Sequence, residues 1–125
     1  MHAGVSVGPD GATHQAIEDV TTMRVMANMK VFVPCDHHEA RKATIAAATL
    51  WGPVYMRFAR EKTPVLTTAE TPFTPGKALT LWMSKKPVVA IIGCGPLLYQ
   101  ALVAARMFLP SRAITRLSFR SRSAS

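Results

Sequence analysis

The stretch from Met29 to Ala59 most narrows what this chain can fold into. Met29-Lys30-Val31-Phe32-Val33 is a short β-favouring run stopped by Pro34. Asp36 then stands as a helix N-cap with Glu39 three residues on, the spacing of a capping box. Ala40, Ala43, Ala47 and Leu50 form an apolar stripe at helical spacing, and Gly52-Pro53 closes the helix. Val54 to Ala59 reads as the next strand, with Arg57 and Arg60 at its end. This alternation of strand, short loop and helix predicts an α/β fold with a mostly parallel sheet and crossover helices.

The flanks extend the pattern. Ala3, Val5 and Val7 alternate with His2, Gly4 and Ser6, which predicts a short strand over residues 1–8. Gly8-Pro9-Asp10-Gly11-Ala12-Thr13-His14-Gln15 follows as a tight loop, and Ile17, Val20 and Met23 predict a helix from Gln15 to about Met26. Downstream, residues 63–76 are rich in Pro and Thr and read as an extended linker. Lys77 to Trp82 predicts a strand, and Pro87 to Ile92 a buried one. Gly93-Cys94-Gly95 turns into a helix from Pro96 to about Leu109, with Leu97, Ala101, Ala104 and Ala105 facing the sheet. A second α/β unit therefore begins within 77–109. Residues 110–125 are Ser/Arg-rich, and no strand is expected there.

Apolar residues make up 49% of the 125, enough for a core and too many for global disorder. No apolar run reaches membrane-spanning length and no signal-peptide pattern opens the chain, so neither a membrane nor secretion is expected. Cys35 and Cys94 are far apart and lack metal spacing, which suits two free thiols in a reducing, cytoplasmic setting. The net charge of +8 is concentrated at one end, since Arg112, Arg116, Arg120 and Arg122 lie in the last fourteen residues with no acid among them. The remainder holds eleven basic against seven acidic residues. Nucleic-acid binding is therefore not expected of the body of the chain, and a non-catalytic module with a basic nucleic-acid-binding tail stands as an alternative.

Three motifs bear on chemistry. Gly93-Cys94-Gly95 has two glycines of a dinucleotide fingerprint, but Leu98 stands at the third position, so a tight structural turn is expected. Pro34-Cys35-Asp36-His37-His38-Glu39 suggests zinc, but neighbouring helix residues point apart, and a solvated helix start is expected instead. Asp10, His14, His2 and Arg60 form the third group. Strand and loop order can bring them to one end of a parallel sheet, beyond the carboxyl ends of the strands, where ligands sit. A carboxylate, two imidazoles and a guanidinium suit a hydroxylated, anionic substrate.

The blocks Gly8–Gln15, Glu18-Asp19, Met23-Arg24, Asn28–Val31, Val33–Asp36 and Gly52–Arg57 resemble the pyrimidine-binding domain of transketolases, above all the C-terminal subunit of the split, two-chain enzymes. The resemblance runs on through Arg60–Val65 and Val89–Gly95 and covers about residues 1 to 107. It implies a partial pyrimidine-binding domain over 1–62, a linker over 63–76, the start of a C-terminal domain over 77–109 and an atypical tail over 110–125. It also implies transfer of two-carbon ketol units between sugar phosphates, with thiamine diphosphate and Mg2+ as cofactors. By resemblance, His14 is the catalytic residue that hydrogen-bonds the donor sugar and the intermediate. Asp10 reads a substrate hydroxyl, while His2 and Arg60 bind substrate, Arg60 at the phosphate. The implied partners are a sugar phosphate and an N-terminal transketolase subunit, in a homo- or hetero-oligomer. A 1-deoxy-D-xylulose-5-phosphate synthase-like fragment is the alternative within the same cofactor class.

The chain also departs from the family pattern. Pro9 stands where the family commonly has glutamate. In the family, the glutamate that activates the cofactor and the aromatics that hold its pyrimidine ring lie upstream of residue 1. The diphosphate- and metal-binding motif belongs to another domain. Cofactor and Mg2+ are therefore expected to be bound mainly by residues absent from this chain, which is read as a fragment inactive alone. A frame-shifted end would account for the change of composition after Leu109, and a native basic tail is the other reading.

Overall fold

The computed structural model describes residues 2–108 and 113–117. Its elements are α1 (Asp19–Val25), β1 (Lys30–Phe32), α2 (His37–Thr49), β2 (Val54–Met56), β3 (Leu79–Met83), β4 (Val89–Gly93), α3 (Leu98–Phe108) and β5 (Ala113–Leu117), preceded by a 3-10 turn at Val5–Val7.

The central expectation holds. β1 and β2 pair in parallel, Lys30 with Val54, Val31 with Tyr55 and Phe32 with Met56, with α2 as the crossover. The Arg57 amide donates to the Phe32 carbonyl at 2.9 Å and extends the ladder by one rung. Ala43 is fully buried on the predicted stripe of α2, and Phe32 is 1% exposed. Burying a side chain such as Phe32 contributes about 1.5–3 kcal/mol. Phe73, from the Pro/Thr-rich stretch, meets the Phe32 ring edge-on at 6.0 Å.

The strand predicted over residues 1–8 does not form. His2 makes a single parallel bridge with Phe58, and the chain then turns into the 3-10 segment. Ala3 and Val7 are buried, but Val5 between them is 79% exposed, which an alternating strand would forbid. The cause is Gly4, whose φ of +92° is outside strand geometry. The first helix starts at Asp19 rather than Gln15. The backbone before it is held elsewhere, because the Ala16 carbonyl accepts from the Gly4 amide at 2.8 Å. Ile17, placed on the helical stripe by periodicity, is 75% exposed.

In the second unit β5 lies at the centre of a three-stranded sheet, parallel to β4 and antiparallel to β3. The expectation that 110–125 holds no strand is thus overturned at Ala113-Ile114-Thr115-Arg116-Leu117. Two β-branched residues fit a strand, and pairing on both sides satisfies backbone groups that a Ser/Arg-rich composition gave no reason to pair. The other tail positions, with Arg112, Arg120 and Arg122, lie outside the described residues. β4 is not the buried strand expected: Val89 is 47% and Ile92 64% exposed. A parallel strand is buried only when both faces are covered, and α3 is the helix that packs against β4 and β5. On α3 itself Leu98 and Ala105 are buried and Leu97 is 73% exposed, so the buried stripe sits one residue from its predicted start.

The two units meet at Cys35 and Leu98, each 1% exposed, with Leu66, Leu79 and Leu81 packed around them. Gly95 donates its amide to the Val33 carbonyl at 2.9 Å. A Cβ there would lie 3.0 Å from a Val33 methyl, and φ is +72°. Gly93-Cys94-Gly95 is therefore a packing turn that lets the second unit approach β1, as the structural reading of that motif anticipated.

Candidate functional site

The Gly-rich loop is built by short-range hydrogen bonds. The Val7 amide donates to Gly4, Asp10 to the Gly8 carbonyl at 2.9 Å, and His14 to the Gly11 carbonyl at 3.1 Å. The Gln15 side chain donates to the Gly8 carbonyl at 2.8 Å and staples the loop shut. The ordering presents Asp10 and His14 on a compact turn that follows directly from the His2–Phe58 bridge.

The four residues singled out from sequence form two contacting pairs. The His2 and His14 rings stack with centroids 6.1 Å apart and planes 18° from parallel. Thr13 Oγ1 lies 2.9 Å from His14 Nδ1 and orients the ring. The Asp10 carboxylate forms an ion pair with the Arg60 guanidinium. Phe58 and Arg60 follow β2, so both pairs stand beyond its carboxyl end. Two exposed imidazoles, whose ring nitrogens can donate or accept hydrogen bonds, thus stand with a carboxylate and a guanidinium around one loop. Such a surface can hydrogen-bond hydroxyls and grip a phosphate through the planar guanidinium fork.

An open cleft of about 390 Å³ adjoins the carboxyl ends of β1 and β2, with Cys35, His37, Phe58, Glu61, Lys62 and Pro96 among its walls. Its floor corrects the solvated helix start expected at Pro34–Glu39, because Cys35, Asp36 and Glu39 are all buried. Asp36 is buried because it fastens the Pro/Thr-rich stretch to α2, and Cys35 because it packs against Leu98. Asp36 Oδ1 accepts from the Glu39 amide at 2.9 Å and from the Thr67 hydroxyl at 2.8 Å. Asp36 Oδ2 accepts from the Leu66 and Thr67 amides at 2.7 and 2.6 Å. Burial opposes the Asp36 charge, but these donors outweigh it and hold the carboxyl below its ordinary range. Glu39 reaches back to the Cys35 amide at 2.7 Å, one residue beyond the capping-box partner, and burial raises its carboxyl. Burial also pushes the Cys35 thiol up, reinforced by Glu39 beside it. His37 and His38 do not point apart, since their rings lie 4.0 Å from each other. Among the described residues, however, no group of three or more His, Cys, Asp or Glu could hold a metal ion.

Sequence reasoning missed a polar trio behind the loop, in which Asp19 and Tyr55 are buried and Arg57 partly so. Asp19, read only as a helix-dipole acid, accepts from the Tyr55 hydroxyl at 2.7 Å and pairs with Arg57 at 3.4 Å. Burial, with the bond to Asp19, pushes the Tyr55 phenol up to about 12. A signal was present, for Tyr55 and Arg57 are alternate residues of one predicted strand and so share a face.

Residues 1–65, which hold the loop and both pairs, match the family model described as "Transketolase, pyrimidine binding domain". The chain belongs to the transketolase family. It is 41% identical over 104 residues to transketolase-like protein 2 of Mus musculus, which covers 83% of this chain and 17% of that protein. It is 42% identical over 65 residues to a putative transketolase C-terminal section of Methanocaldococcus jannaschii, covering 52% of this chain and 21% of the other. Among solved structures, a split-gene transketolase described as an inactive beta4 tetramer superposes with a TM-score of 0.81 at 37% identity, over 95% of this chain and 38% of that one. The chain thus spans about a fifth of the length of these curated transketolase relatives. The α/β pyrimidine-binding fold expected from the resemblance holds, and no helix among the described residues is long and apolar enough to cross a membrane.

Proposed function

We propose that this transketolase-family chain supplies the sugar-facing part of a site that transfers a two-carbon ketol unit between sugar phosphates. The observation that carries the reading is the pairing of His2 with His14 and of Asp10 with Arg60 around one loop. His14 hydrogen-bonds the donor sugar and holds or moves a proton at a hydroxyl oxygen. Asp10 reads a second hydroxyl, His2 flanks the same chain of hydroxyls, and Arg60 takes the phosphate. Without substrate, Asp10 serves as the anionic partner of Arg60, and a phosphate takes over that role on binding.

The family's cofactors are thiamine diphosphate and Mg2+. The described residues do not fit the cation, because they offer no group of ligands for it. The donors for both cofactors are assigned mainly to residues absent from this chain, the pyrimidine-side groups upstream of residue 1 and the diphosphate and metal motif on another domain.

The test is a titration of the chain with fructose 6-phosphate, a ketose phosphate, followed by NMR of the histidine rings. The His2 and His14 signals move, those of His37 and His38 stay, and Arg60→Ala weakens binding about tenfold or more, the loss of about 1.4 kcal/mol or more from a charge-assisted contact. Unmoved His2 and His14 signals at saturating sugar phosphate refute the reading. With thiamine diphosphate and Mg2+ added, the chain alone gives no ketol transfer, whereas turnover would refute the assignment of the cofactor donors to residues absent from this chain.

A further inference from the structure

Behind the loop lies a contact that none of the roles above uses. The Arg57 guanidinium is wedged between two parts of the chain. On one side Nη1 is 3.4 Å from Asp19 Oδ1, in the first turn of α1. On the other side Nη2 lies against the Cα of Gly4, in the space that a side chain at residue 4 would fill. Gly4 is the hinge of the loop, since its amide bonds the Ala16 carbonyl at 2.8 Å and its carbonyl accepts from Val7. The loop between residues 4 and 16 carries both Asp10 and His14. Next to Arg57 along the chain, Phe58 makes the bridge that holds His2.

Arg57 therefore touches the base of the loop, while its neighbour fixes the other imidazole. Its position is firmly set. The Arg57 amide is bonded to Phe32 in the parallel ladder. Asp19 is 7% exposed and is itself held by the Tyr55 hydroxyl at 2.7 Å, from the same strand as Arg57. Moving the guanidinium away from this mostly buried carboxylate is costly, because it would leave the Asp19 charge poorly solvated. A small shift of Arg57 would have to move Gly4, and with it the Gly4–Ala16 closure.

We infer that Arg57, anchored by Asp19, is a positioning residue that sets the Gly4–Ala16 loop so that His14 comes into register with His2. The inference rests on the sugar-site reading for its purpose, but the coupling between Arg57 and the histidine pair stands on geometry alone. Glycine at position 4 follows from the same arrangement. The backbone there, with φ +92° and ψ 169°, is nearly closed to other residues, and a Cβ would clash with the Arg57 guanidinium.

The experiment is histidine-ring NMR on the full chain, with His37 and His38 as internal references. Arg57→Ala abolishes the mutual ring-current shifts of His2 and His14 and leaves His37 and His38 in place. Arg57→Lys, which keeps the charge but not the planar fork, restores part of the shift. Asp19→Asn keeps an acceptor for Tyr55, removes the ion pair and moves the same two signals in the same direction. In a double-mutant cycle, Gly4→Ala perturbs the His14 signal less when Arg57 is already Ala, because the steric conflict has gone. Unchanged His2 and His14 signals in a folded Arg57→Ala chain overturn the inference. So does loss of the fold in both Arg57→Ala and Asp19→Asn, which would make the pair a support of the whole domain rather than of the loop. Fructose 6-phosphate added to the same samples separates the two readings: shifts that depend on Arg57 but ignore the sugar phosphate sustain the positioning role and refute the sugar site.

Discussion

Replacing Asp36 by Ala should unfasten the stretch that joins the two units. Its carboxylate is 4% exposed and accepts four hydrogen bonds, from the Glu39, Leu66 and Thr67 amides and the Thr67 hydroxyl. Losing the N-cap at Glu39 costs about 1 kcal/mol. Each buried backbone amide left without an acceptor costs about 1–3 kcal/mol, and Leu66 and Thr67 lose theirs together. Lys42, whose ammonium donates to the Thr68 and Thr71 carbonyls at 2.6 and 2.5 Å, keeps part of the stretch on α2, and the Leu66 amide is only partly buried, which limits the cost. The expected loss is therefore about 3–5 kcal/mol, against a total stability of about 5–15 kcal/mol for an ordinary domain. Urea denaturation monitored by far-UV circular dichroism measures it as a fall in midpoint at unchanged slope. Acid supplies an independent check. The folded carboxyl lies below its unfolded value of about 3.9, so its contribution is present above pH 4 and is lost as pH falls through the folded value. Asp36→Asn should flatten that acid limb. A loss below about 1 kcal/mol in Asp36→Ala would refute the view that this carboxylate holds the connecting stretch to α2.

Other outcomes follow from the same geometry. Tyr55→Phe removes a buried bond to a carboxylate and should cost about 1.5–3 kcal/mol in the same denaturation assay. In the wild-type chain the Tyr55 phenol titrates near 12 by ultraviolet absorbance; because that folded value is raised, its stabilisation is complete below the unfolded value of about 10 and is lost as pH rises through 12. Alkylation at neutral pH, mapped by mass spectrometry, should mark the exposed Cys94 in the native chain and reach the buried Cys35 only after unfolding. Asp10→Asn frees Arg60 and should tighten binding of inorganic phosphate while weakening discrimination between fructose 6-phosphate and phosphate, read by isothermal titration calorimetry.

Much of the fold was legible in advance because local rules carried it. The β-favouring run ended by Pro34, the capping spacing from Asp36 to Glu39 and the Gly52-Pro53 stop each act within a few residues of chain. The parallel pairing of Lys30–Phe32 with Val54–Met56 followed from the alternation of strand, helix and strand. Failures came where a partner distant in sequence decided the outcome. Residues 1–8 had the alternation of a strand, but Gly4 turns the backbone to meet Ala16 and Arg57. Ala113–Leu117 was hidden in a Ser/Arg-rich composition, and it is a strand because β3 and β4 both offer it unpaired edges.

The Gly8–Gln15 loop showed the same division. Residue types alone named Asp10, His14, His2 and Arg60 as the groups to watch, since carboxylate, imidazole and guanidinium bring their chemistry with them wherever they sit. Which of them touch was not written in their spacing. The pairing of His2 with His14, and of Asp10 with Arg60, arose only when β2 delivered Phe58 and Arg60 beside the start of the chain. The burial of Cys35, Asp36 and Glu39 likewise needed Thr67 and Leu98 to arrive from elsewhere. Sequence by itself determined the strand–helix–strand elements from Lys30 to Met56 and the chemical inventory, because propensity, caps and side-chain functional groups are local properties. The tertiary structure decided contact, burial and ionisation, because these depend on distance in space between residues that the chain keeps far apart.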